Sequence, residues 1–99
     1  MNIRKIAKTV EQKFGIVFKE TKYLERYEYR NKKLECYIYL GHGNWSKNKD
    51  HEFIGVGVQT SMSGVSNPCE TEQEAIDTLI YELPNYGLKK QENVQLQLC

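Results

Sequence analysis

LECYIYLGHGNWSKNKDHEFIGVGVQT, residues 34–60, decides the fold. Its two ends alternate. Leu34, Cys36, Ile38 and Leu40 fall on one side, and Glu35, Tyr37 and Tyr39 on the other. Further on, Ile54, Val56 and Val58 share a side, while Phe53, Gly55, Gly57 and Gln59 share the opposite one. A period of two in β-branched and aromatic residues marks half-buried strands. Between them, GHGNWSKNKDH (41–51) is too long for a minimal hairpin turn, so it reads as the connection between two antiparallel strands.

Working outward, RNKK (30–33) is a tight turn, and the β-rich stretch before it predicts a strand over about 22–30 with an earlier piece at Ile16–Phe18. Ile3, Ile6, Ala7, Val10 and Phe14 recur at helical spacing, with Asn2 as cap and Gly15 as stop, and predict a helix over 3–14. On the other side, SMSGVSNP (61–68) has loop composition. TEQE (71–74) fits a capping box, with Thr71 capping and Glu74 reaching back. The stripe Ala75, Ile76, Leu79, Ile80 and Leu83 then predicts a second helix, stopped by Pro84. The tail over 91–99 contains the alternation VQLQL and reads as an edge strand or a flexible tail.

Two one-sided helices and a one-sided sheet bury their stripes most simply in two layers. The expected fold is therefore α+β: a two-layer sandwich of order α-β-β-β-α with a C-terminal strand as an option. Its three-stranded antiparallel sheet carries both helices on one face. At 99 residues, 39% hydrophobic and 27% charged, the chain has the length and composition of one globular domain spanning 1–99. No apolar run reaches the ~20 residues that cross a bilayer. The start, MNIRKIAKTVEQKF, lacks a signal-peptide core, so a cytoplasmic location and no membrane partner are expected. Three widely spaced cysteines, Cys36, Cys69 and Cys99, make a poor disulfide framework.

The net charge of +1 conceals an asymmetry. Residues 1–33 hold ten basic against four acidic side chains, a local +6, whereas residues 69–99 hold two basic against six acidic, a local −4.

Motifs for chemistry are sparse. The G-x-G pieces Gly41-His42-Gly43 and Gly55-Val56-Gly57 do not extend to a dinucleotide fingerprint, and no phosphate-loop motif occurs. Glu70, Glu72 and Glu74 at the start of the second helix suit its dipole and would repel a phosphate there. His42 and His51 lack the spacing and the further ligands of a metal site. Cys69 precedes a helix, which could lower its pKa, but Glu70 and Glu72 oppose that. Neither a catalytic residue, a metal site nor a cofactor is assigned.

Two surfaces remain. On the outer sheet face, Arg26, Tyr37 and Tyr39 form an arginine and aromatic platform, and Trp45 is a large aromatic that a solvated loop does not need. The competing reading of that face is cross-strand aromatic packing over the glycines. The second surface is basic: Arg4, Lys5 and Lys8 on the first helix with Arg30, Lys32 and Lys33 at the turn. A structural alternative pairs that helix face with the acidic second helix.

The order α-β-β-β-α resembles the double-stranded-RNA-binding domain, and HEFIGVGVQT followed by ETEQEAIDTLIYEL is similar to that family's last strand and helix. The family grips phosphates with lysines where this chain has Glu70–Glu74, so no site residues carry over. The architecture is also similar to that of small phage anti-CRISPR proteins and toxin-immunity proteins, which occupy a partner's surface without catalysis. The leading expectation is a non-catalytic protein that acts by protein–protein contact through Arg26, Tyr37, Tyr39 and Trp45. A nucleic-acid-binding module using the six basic residues is the alternative. A small enzyme using the 41–51 loop and Cys69 is the third reading.

Overall fold

A computed structural model describes residues 2–21, 26–43 and 51–90. In chain order it contains α1 (Ile3–Phe14), β1 (Lys19–Thr21), β2 (Arg26–Arg30), β3 (Glu35–Gly43), β4 (His51–Gln59), β5 (Gly64–Cys69) and α2 (Glu72–Asn85). The strands form one sheet in the order β1-β2-β3-β4-β5, with every neighbouring pair antiparallel.

The fold is α+β with both helices on one face, but the sheet has five strands where three were expected. The first addition lies between the two expected pieces, 16–18 and 22–30. Lys19–Thr21 pairs with Arg26–Arg30, with Lys19 opposite Glu28 and Thr21 opposite Arg26. Ile16 and Phe18 are core residues outside any strand. The Glu11 carboxylate accepts from the Phe18 N–H at 2.7 Å and ties this entry segment to α1.

The second addition is β5, which lies in the segment expected as a loop. Its inward positions are only Val65, Asn67 and Cys69, too weak a stripe to read from composition. What makes it a strand is its pairing with β4, begun by a turn in which the Thr60 N–H donates to the Ser63 carbonyl at 2.7 Å. That bond places Gln59 and Gly64 in a non-hydrogen-bonded pair, and the alternation then carries Gly57–Ser66 and Gly55–Pro68 into the same class. The backbone nitrogen of Pro68 therefore faces away from β4, where the ladder needs no donor. The two extra strands also remove the α-β-β-β-α order on which the likeness to the double-stranded-RNA-binding domain rested.

The connection between β3 and β4 is shorter than the 41–51 stretch. Strand pairing runs out to Gly41–Phe53, His42–Glu52 and Gly43–His51. The helix boundaries follow local chemistry. Asn2 Oδ1 accepts from the Lys5 N–H at 3.1 Å, and Gly15 ends α1 at φ 67°. Thr71 Oγ1 accepts from the Glu74 N–H at 3.0 Å, and the Glu74 carboxylate reaches back to the Glu70 N–H at 2.8 Å. Pro84 does not stop α2 but sits within its last turn. The helix closes just beyond it, with the N–H groups of Tyr86 and Leu88 both donating to the Leu83 carbonyl and Gly87 at φ 104°. The C-terminal strand option over 91–99 lies outside the described residues.

The core sits between the layers. Ile6, Val10, Leu79 and Leu83 from the helices meet Cys36, Ile38, Ile54, Val56 and Val58 from the central strands, and all of these are fully buried. α1 lies over β2 and β3, α2 over β4 and β5, and the two helices pack against each other. Their charges meet too: Glu72 accepts from the Asn2 N–H at 2.7 Å and stands 3.9 Å from Lys5 Nζ. Among the described residues, no helix is long and apolar enough to cross a membrane.

The Thr71 cap yields a direct expectation. Thr71→Ala lowers unfolding stability by about 1 kcal/mol, and Thr71→Ser leaves it nearly unchanged, as read by urea denaturation. Equal stability of the Ala variant and the parent would show that the cap contributes nothing.

Candidate functional site

With the helices on the inner face, the outer face of the sheet is the surface that the strand parity builds and no described element covers. The turn bond from the Asn31 N–H to the Leu34 carbonyl makes Arg30–Glu35, Glu28–Tyr37 and Arg26–Tyr39 the non-hydrogen-bonded pairs of β2 and β3. In such pairs opposed side chains stand closest, so Arg26, Glu28, Arg30, Glu35, Tyr37 and Tyr39 are brought together in one patch.

Between β3 and β4 the register sets an aromatic residue against a glycine at three successive outer positions: Tyr37 opposite Gly57, Tyr39 opposite Gly55, and Phe53 opposite Gly41. Each ring lies on its glycine. A Cβ added at Gly57 would come 2.5 Å from Tyr37 Cε1, one at Gly55 2.6 Å from Tyr39 Oη, and one at Gly41 2.6 Å from Phe53 Cζ. These distances leave no room for a methyl group unless the ring moves. The rings also touch each other: Tyr37 and Tyr39 have centroids 6.1 Å apart, and Tyr39 and Phe53 meet edge-on at 6.2 Å. The cross-strand packing reading of this face therefore holds for the rings and glycines.

Arg26 completes the patch. Its guanidinium carbon lies 4.8 Å from the Tyr37 ring centroid and 5.9 Å from that of Tyr39. Its Nε donates to the Glu28 carboxylate. At the sheet end, Arg30 donates to Glu35, and Gln59 Nε2 donates to the other Glu35 oxygen at 2.7 Å. The Arg30 hydrogen bonds, with help from Gln59, hold the Glu35 carboxyl below its ordinary range. Both guanidinium groups of this face are thus matched by carboxylates.

Of the four residues expected at a protein interface, Arg26, Tyr37 and Tyr39 share this patch, and Trp45 lies outside the described residues. The six basic candidates do not form one surface. Arg30 is spent on Glu35 on the outer side of the sheet, while Arg4, Lys5 and Lys8 belong to α1 over the inner side. Lys5 stands beside Glu72, and Lys8 Nζ lies 3.8 Å from Glu11. Strand parity also sets Glu28, Glu35 and Phe53 on this face; Gly41, seated under the Phe53 ring, is the member that parity did not single out.

The expectations for chemistry elsewhere meet a closed interior. Cys69 is buried; desolvation raises its thiol pKa, and Glu74 adds to that against the contact with the Thr78 hydroxyl. Burial pushes the Cys36 thiol up to about 12. Both are free thiols. Among the described residues no group of three His, Cys, Asp or Glu side chains is arranged to hold a metal ion. Comparison with protein-family models, curated proteins and solved structures finds no match.

Two measurements follow from this geometry. Gly57→Ala lowers stability by about 1–3 kcal/mol in the parent but by much less in a Tyr37→Ser background, because the ring that the new methyl displaces is gone. Additive effects in this double-mutant cycle would refute the packing of Tyr37 on Gly57. The second concerns pH. Folding holds the Cys36 proton more tightly than the unfolded chain does, so its contribution is complete below the ordinary thiol pKa of 9.0 and fades as pH rises towards about 12. Urea midpoints should fall from pH 8 to pH 10.5 more steeply in the parent than in Cys36→Ala; parallel curves would contradict this assignment.

Proposed function

We propose that this chain is a non-catalytic binding protein of the cytoplasm that acts by protein–protein contact through the outer face of its sheet. An antagonist that occupies a partner's surface, as anti-CRISPR and toxin-immunity proteins do, is the form of activity the reading favours. One observation carries it: Arg26 is held on the Tyr37 ring and neutralised by Glu28, in a half-exposed patch that no described element covers. Arginine and tyrosine are the residues that most often anchor protein interfaces. Here both are already ordered, so little side-chain entropy remains to be lost on binding.

The same observation weighs against a nucleic acid as the occupant. A nucleic-acid platform needs free cations for phosphates and open ring faces for bases. On this face the guanidinium groups are matched by Glu28 and Glu35, and Arg26 already lies over the Tyr37 ring.

Immobilised chain incubated with cell lysate tests the reading. A stoichiometric protein partner should be retained by the parent and by Lys5→Ala/Lys8→Ala, and lost at least ~10-fold by Arg26→Ala/Tyr39→Ser. A thermal melt of each variant establishes that it is folded. Retention of nucleic acid that falls steeply with salt, with no protein partner, would replace this reading by the nucleic-acid one.

A further inference from the structure

At one end of the sheet two hairpin tips stand side by side, because β3 and β4 pair directly and each carries a turn at that end. Both tips are tied down by the side chain that opens them. Asn31 Oδ1 accepts from the N–H groups of Lys33 and Leu34 at 2.7 and 2.9 Å. Thr60 Oγ1 accepts from the N–H groups of Met62 and Ser63 at 3.1 and 3.2 Å. Between the tips lies an open cleft of about 250 Å³, bordered by Arg30, Lys32, Lys33, Glu35, Gln59 and Ser61 among others.

The charges in this cleft are not balanced. Arg30, Glu35 and Gln59 satisfy one another across three strands. Lys32 and Lys33 are exposed, and neither ammonium group pairs with a carboxylate among the described residues. In the other turn, next to Ser61 of the cleft border, Met62 is 90% exposed. An exposed methionine on a fixed turn is an adaptable apolar contact with nothing of its own to cover.

Resting on the protein-partner reading, we infer that this cleft is a second contact surface, which takes an acidic segment of the partner bearing an apolar side chain. Its carboxylates meet Lys32 and Lys33, and its apolar group packs on Met62. Charge complementarity fixes the register of such a segment, and the tied turns reduce the ordering cost of binding. A nucleic acid suits the cleft less well. Its phosphates need a continuous run of free cations, whereas here the two lysines share the cleft with the Glu35 carboxylate, and Arg30 is already engaged by it.

The test titrates the ¹⁵N-labelled full chain with a synthetic peptide of alternating Glu and Leu and, separately, with a single-stranded oligoribonucleotide. The peptide should shift the amide signals of residues 31–35 and 59–63. Its affinity should fall ~10-fold or more in Lys32→Glu/Lys33→Glu and also fall in Met62→Ser. Both lysines are exposed, and Lys32→Gln/Lys33→Gln provides a milder variant that should give a smaller loss in the same direction. Absence of peptide shifts, shifts confined to α1, or unchanged affinity in the lysine variants would overturn the inference. So would an oligoribonucleotide that perturbs these amides more strongly than the peptide does. Failure here with partner capture by the Arg26 face intact removes the cleft alone. Loss of partner capture with peptide binding intact counts against the protein-partner reading and leaves an acidic-peptide site.

Discussion

The nine-residue pairing of β3 with β4 creates two surfaces at once. Its inner residues, Cys36, Ile38, Ile54, Val56 and Val58, form the floor on which both helices rest. Its outer residues seat aromatic rings on glycines. A shift of register by one residue would send every side chain of a strand to the other face. The core and the outer patch are therefore specified by the same pairing. β2 adds to one side of that pair with Arg26 and Glu28, and β5 adds to the other, closing the sheet over α2.

The outer face is unusual in how its space is filled. Glycine in a strand is unfavourable by itself, since it contributes no side chain and loses more backbone freedom than other residues. Here Gly55 and Gly57 are buried although they lie on the outer face, because tyrosine rings from the neighbouring strand cover them. The tyrosines in turn gain a flat seat and can hold Arg26 above them. A face assembled in this way is stiff, and stiffness supports recognition by limiting what must be ordered on contact.

Much of this was legible in the sequence where the apolar period was strong. The first helix, with its cap at Asn2 and stop at Gly15, and the inward sets of β3 and β4 follow from spacing alone. The grouping of Arg26 with Tyr37 and Tyr39 followed from parity across the RNKK turn. What could not be read is where tertiary pairing overrides composition. β5 holds glycine, serine, asparagine and proline and is a strand only because β4 offers it a ladder. The chain reversal before β2 is hidden inside a single β-rich stretch. The packing of rings over glycines, the competing reading of this face, has a position-by-position signal. Read backwards, GVGIF (57–53) places small, small and large residues against the large, large and small residues of YIYLG (37–41). Pro84 reads as a helix stop, but a proline in a last turn costs only one backbone hydrogen bond, which the closing turn tolerates.

Pro68 has a consequence at the scale of many molecules. β5 is one of the two edge strands of the sheet among the described residues, and an edge strand is a template on which a foreign strand can grow. Along it, Gly64 and Ser66 still offer outward N–H groups, but the position of Pro68 offers none. A strand that begins to pair there runs out of donors at Pro68, which limits fibrous growth from this edge of the sheet.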